Sequence, residues 1–74
     1  MMQAYRIESD YIIPNKGHLL TLDRGLDLGN NTSVVLDGVK HKFGIGTETP
    51  YIVFIGDIEE NENLEDKLLY YDPS

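Results

Sequence analysis

Apolar and polar residues alternate near the start of the chain, where Tyr5, Ile7, Ser9, Tyr11 and Ile13 are interleaved with Arg6, Glu8 and Asp10. A period of two is that of a strand with one buried face. Pro14-Asn15-Lys16-Gly17 ends this pattern with turn chemistry: proline presets φ, and glycine accepts the positive φ that closes a bend. Residues 18–22 predict the returning strand, with Leu20 and Leu22 on one face. Residues 23–31 hold two glycines and two asparagines and read as a loop, with Leu26 and Leu28 tucked beneath it. Residues 33–36 predict a third strand, and Asp37-Gly38 has the residues that a two-residue type I′ hairpin turn requires. Val39, His41, Phe43 and Ile45 then fall on one face of a strand, with Lys40 and Lys42 on the other. Residues 51–55 are apolar without alternation, as expected of a strand covered on both sides.

Five strands with no helical period among them predict an all-β fold, a small five- or six-stranded barrel. The last stretch supports two readings. Leu64, Leu68 and Tyr71 have helical spacing, with Asn63 as a cap and Glu65 and Asp66 in the first turn. Lys67-Leu68-Leu69-Tyr70-Tyr71 reads equally as a strand that covers a barrel edge, and the strand is preferred. Residues 1–74 are expected to form a single domain, in which 57–74 are an acidic C-terminal segment.

Charge sharpens that division. Residues 1–56 carry six acids against five bases, whereas residues 57–74 carry seven acids against Lys67 alone. Nearly all of the net charge of −7 therefore belongs to the last quarter of the chain. Such a balance opposes direct nucleic-acid binding, because phosphates attract bases. Cysteine is absent, so there is no disulfide, thiolate nucleophile or cysteine zinc site. A core of this size supplies about 3–5 kcal/mol, so efficient closure of the sheet, or a homo-oligomer, is expected. The longest apolar run is five residues and the N-terminus lacks a signal-peptide layout, so neither a membrane span nor export is expected, and the predicted location is cytoplasmic.

The residues Ile7-Glu8-Ser9-Asp10-Tyr11-Ile12-Ile13-Pro14-Asn15-Lys16-Gly17-His18-Leu19-Leu20-Thr21 resemble the opening hairpin of the second, β-barrel domain of translational GTPases such as elongation factor Tu. Asn15-Lys16-Gly17 stands at the family's Gly-Arg-Gly type turn and Leu19-Leu20-Thr21 at its Val-Val-Thr strand. Arg24-Gly25 and Leu28-Gly29 are similar to the Arg-Gly and Val-Gly pairs that follow. The match spans about residues 7–35, and departs from the family at Asn15 and Leu22, where glycines stand. It implies a barrel and a docking role, because that domain of the family holds RNA and performs no chemistry. The phosphate loop of the GTPase domain is absent.

Chemistry-bearing residues are sparse. Gly44-Ile45-Gly46-Thr47 lacks the third glycine and following helix of a dinucleotide fingerprint and reads as a bend. His18 and His41 show no spacing that ties them to a carboxylate or to each other, and His41 keeps register with Val39 and Phe43, as a packed core or interface histidine would. The acids after Gly56 lack the central glycine of an EF-hand loop. No catalytic residue, cofactor or metal site is therefore predicted. The predicted interaction surface is Glu59, Glu60, Glu62, Glu65 and Asp66 with Tyr70 and Tyr71, in which carboxylates steer a basic protein partner and tyrosines supply buried contact. Completion of the core is the competing role for the tyrosines. The expected function is a non-catalytic macromolecule-binding module that docks on a protein, the translation machinery being one candidate. The alternative is a stand-alone acidic inhibitor, of the immunity-protein or phage anti-defence kind, that blocks the basic groove of a nucleic-acid enzyme.

Overall fold

A computed structural model describes residues 1–46 and 49–74; of the expected bend 44–47, Gly44–Gly46 form a short strand and Thr47 lies outside the described residues. Seven strands follow one another: β1 (Gln3–Ile13), β2 (Gly17–Leu22), β3 (Ser33–Leu36), β4 (Val39–Lys42), β5 (Gly44–Gly46), β6 (Thr49–Ile55) and β7 (Leu68–Tyr71). All pairings are antiparallel, in the order β4-β3-β7-β1-β2-β6-β5. The two edge strands, β4 and β5, are separated in the chain by Phe43 alone. One bent segment thus forms both edges and curls the sheet into a nearly closed barrel. The expected all-β class holds, with seven strands where five or six were predicted, because the segment expected as one strand after Gly38 is divided at Phe43.

Local chemistry explains most of the turns. The Lys16 N–H bonds the Ile13 carbonyl across Pro14-Asn15, with φ of 64° at Asn15. Proline followed by a positive-φ residue is a type II arrangement. Asp37 and Gly38 have φ of 51° and 79°, as a type I′ turn demands. Gly17 has no room for a side chain, since a Cβ there would meet the backbone of Ile55 and Gly56.

β1 serves both halves of the barrel. Its residues 3–6 pair with β7, and its residues 7–13 pair with β2. Between them Ile7 faces Leu22 while Ser9 faces Thr21, so Glu8 is the extra residue of a β-bulge. The bulge reverses the inward face. Tyr5 and Ile7 point into the core, but beyond Glu8 the inward positions are Asp10 and Ile12, and Tyr11 is left 67% exposed. The uniform alternation expected along 5–13 is corrected accordingly.

The core takes Tyr5 and Ile7 from β1, Leu20 and Leu22 from β2, Val34 and Leu36 from β3, Val53 and Ile55 from β6, and Leu69 and Tyr71 from β7, with Leu26 and Leu64 from loops. Leu28, expected beneath its loop, is exposed instead. β6 is covered on one face only: Val53 and Ile55 are buried, Ile52 and Phe54 half-buried, and Tyr51 exposed. A single curled antiparallel sheet offers one interior, so double coverage does not arise. The final segment is a strand, and it lies between β3 and β1 rather than at an edge. Phe43 meets the Tyr71 ring edge-on at 5.6 Å, tying the bend between β4 and β5 to that strand.

Candidate functional site

Between β6 and β7 the acidic segment crosses the barrel as a loop held at several points. The Glu62 N–H bonds the Glu59 carbonyl, the Glu65 N–H bonds the Asn63 side-chain oxygen, and the Lys67 N–H bonds the Leu64 carbonyl. Asn63, expected as a helix cap, forms a local turn instead. The Asn15 N–H reaches Glu60 Oε2 at 2.8 Å, the Leu64 N–H reaches Asp10 Oδ2 at 3.0 Å, and the Asp66 N–H bonds the Ile7 carbonyl beside the bulge. Asp66 adopts φ of 67° where the loop turns into β7. Leu64 is buried beneath the loop.

The anchor of this arrangement is His18. It faces inward with Leu20 and Leu22 and is fully buried, with Nδ1 at 2.9 Å from Asp10 Oδ1 and Nε2 at 2.8 Å from the Glu59 carbonyl oxygen. Both ring nitrogens are engaged, so this imidazole has no lone pair free to take a proton from a substrate. His18 shares the parity of Leu20 and Leu22, which is a signal in the sequence that it needs a polar partner indoors. Asp10 carries no such signal, because only the bulge turns it inward.

A groove of about 220 Å³ opens between the β3–β4 hairpin and this loop, lined by Leu36, Asp37, Val39, His41, Asp57, Ile58, Glu59, Glu62 and Leu64. Its apolar residues come from both sides, and four carboxylate residues stand around them. His41 is mostly covered, and its Nδ1 lies 2.8 Å from Asp57 Oδ1. The Lys67 ammonium bridges back to Asp37 at 2.7 Å, closing one end of the hairpin against the loop. The groove lining holds no serine, threonine, cysteine or lysine among the described residues. Among the described residues, no group of three or more His, Asp or Glu side chains is set to hold a metal ion. What the groove can do is receive a donor: a cationic head among the carboxylates, with an aliphatic stem against Leu36, Ile58 and Leu64.

The predicted site residues are only partly brought together. Glu59 and Glu62 line the groove. Glu60 is exposed beside the β1–β2 turn, Glu65 is exposed on the loop, and Asp66 lies 3.7 Å from the Arg6 guanidinium. Tyr70 stands on the outer face of the sheet, in a separate hollow with Met2, Val35 and Lys40. Tyr71 is buried, and its hydroxyl donates to the Asn31 carbonyl at 2.8 Å and accepts the Gly29 N–H at 3.1 Å. The core claims that side chain because alternation along β7 turns Leu69 and Tyr71 inward and Leu68 and Tyr70 outward. Asp37, His41 and Asp57 belong to the groove and were missed, since they meet only when the hairpin and loop fold side by side.

No helix among the described residues is long and apolar enough to cross a membrane. In comparisons with known proteins, no family model, curated protein or solved structure matches this chain.

Proposed function

We propose that this chain is a non-catalytic binding module that docks a protein partner with a basic surface through the groove and the acidic loop above it. The observation that carries this reading is the pairing of an apolar groove floor with a rim of carboxylates, set mostly on a loop whose main chain is pinned to the barrel. Fixed charges steer a partner and set its orientation, and the apolar floor supplies contact area. Two of the four rim carboxylates lack an ion-pair partner among the described residues. Among the described residues Lys67 answers Asp37 and His41 answers Asp57, while Glu59 and Glu62 form no side-chain ion pair. The hairpin resemblance makes the translation machinery a candidate source of that partner. The pinning of the loop also favours the second reading, an inhibitor that presents phosphate-like charge to the basic groove of a nucleic-acid enzyme, because mimicry requires carboxylates held at set positions.

Affinity capture from the source cell's extract, with and without Glu59→Gln, Glu60→Gln and Glu62→Gln together, tests both. Loss of a basic protein from the triple variant supports docking through the loop, and retention of the same proteins by both forms overturns it. Salt then separates the readings. Affinity for the captured protein falls steeply between low and moderate salt for a charge mimic, and little for docking that rests on the apolar floor.

A further inference from the structure

His18 is the polar residue that the core encloses completely, and each of its ring nitrogens meets an acceptor. Nε2 lies 2.8 Å from the Glu59 carbonyl oxygen, which can only accept, so Nε2 carries a hydrogen. Nδ1 lies 2.9 Å and 3.0 Å from the two carboxylate oxygens of Asp10. Asp10 Oδ2 also accepts the Leu64 N–H at 3.0 Å, which favours the ionised carboxylate, so Nδ1 carries a hydrogen as well. We infer that His18 is a buried imidazolium whose second proton latches residues 57–67 to the barrel, so that this acidic loop is released as pH rises.

The surroundings of the ring support that protonation state. Asp10 faces it from β1 and the Glu62 carboxylate acts on it from the loop, while its cross-strand neighbours, Ile12 on β1 and Ile55 on β6, carry no charge. Burial by itself pulls the imidazole pKa down, but the Glu59 carbonyl and the Asp10 carboxylate outweigh burial and hold it above the ordinary 6.5.

Loss of the proton forces a choice between two bad contacts. A ring that keeps the hydrogen on Nδ1 turns a lone pair to the Glu59 carbonyl. A ring that keeps it on Nε2 turns a lone pair to Asp10, which also holds the Leu64 N–H. The first contact joins the barrel to the loop directly, and the second lies between β1 and β2 but sets a lone pair against the carboxylate that holds the Leu64 N–H, so the loop is where the strain is relieved. Because the folded pKa is the higher one, the stabilisation is complete below pH 6.5 and is lost as pH rises through the folded value. The latch concerns how the loop is held and does not depend on what the loop binds.

The test uses the full chain labelled with nitrogen-15. Ring N–H signals of His18 and exchange of the Leu64 and Asp66 amides are followed by NMR from acid to mildly alkaline pH. The expected result is two ring N–H protons persisting above pH 6.5. Opening at Leu64 and Asp66, corrected for the intrinsic base dependence of exchange, rises up to about tenfold per pH unit between 6.5 and the folded pKa. Val53 in β6 is expected to open at a higher free energy than the loop. A ring with a single N–H at pH 6 overturns the inference, as does titration at or below the ordinary value. Loop amides that remain equally protected while the ring titrates overturn it too. Because the wild-type chain is used throughout, the result does not rest on a variant that must fold.

Discussion

Asp10 is a charged side chain with 2% of its surface exposed, and it survives there because the His18 ring and the Leu64 N–H both meet its carboxylate as donors. Taking a carboxylate out of water is expensive, and a buried pair holds only while both members are present. Asp10→Ala leaves the imidazolium of His18 and the N–H of Leu64 without their acceptor, and the expected cost is roughly 3–5 kcal/mol. That equals what a core of this size supplies, so the variant is expected to be largely unfolded by circular dichroism at 25 °C. Tyr71 makes a smaller test of the same rule. Tyr71→Phe keeps the ring against Phe43 but strands the Gly29 N–H and the Asn31 carbonyl, and urea unfolding is expected to register a loss of about 1–3 kcal/mol. Neither partnership is visible in the chain's residue order. The inward parity of His18 is, and so is the apolar character of Tyr71; the partners lie eight and about forty positions away.

Elements explain why those partners meet. The β1–β2 hairpin and the β3–β4 hairpin are legible in the sequence because their turns need particular backbone angles, which Pro14-Asn15 and Asp37-Gly38 supply. The bulge at Glu8 is not legible, because no residue type is reserved for it and period-two reading carries straight through. Its effect is nevertheless large: it decides whether Asp10 or Tyr11 faces the core. Deleting Glu8 removes the extra residue and closes the ladder in the present register, so Ser9 and Tyr11 stay outward and Asp10 and Ile12 stay inward along the rest of β1. His18 then keeps its carboxylate, and the deletion variant is expected to retain the His18 ring N–H signals, measured by NMR, and a cooperative thermal transition. The bend at Phe43 is a second feature of this kind. Residues 39–46 have the pattern of one strand, yet their first half pairs with β3 and their second with β6.

Over the whole molecule, the bend and the bulge together curl one sheet around a single core, and the acidic loop lies across it between the Asp37 hairpin and His18. Charge and packing are divided between different residues of that loop. Leu64 and the main chain hold it down, while the carboxylates of Glu59, Glu62 and Glu65 face outward. Replacing Glu59, Glu60 and Glu62 by glutamine therefore removes three charges and leaves the attachments in place, since glutamine at position 60 can still accept the Asn15 N–H. The expected change in unfolding free energy is within about 0.5 kcal/mol, measured by urea titration, against a large loss of affinity for a basic partner. A loss of stability as large as that of Asp10→Ala would mean that these side chains serve the fold instead.

The division between chain and fold has a physical basis. Strands, their turns, the all-β class and the acidic character of residues 57–74 follow from local rules: alternation, positive-φ residues and charge counted along the chain. These are properties of neighbours in sequence, so they can be read there. Strand count, the position of β7 inside the sheet, the inward turn of Asp10 and the groove between Asp37, His41, Asp57 and Glu62 depend on residues far apart in the chain. Register and closure alone bring those residues together, and both are settled by packing around one shared core.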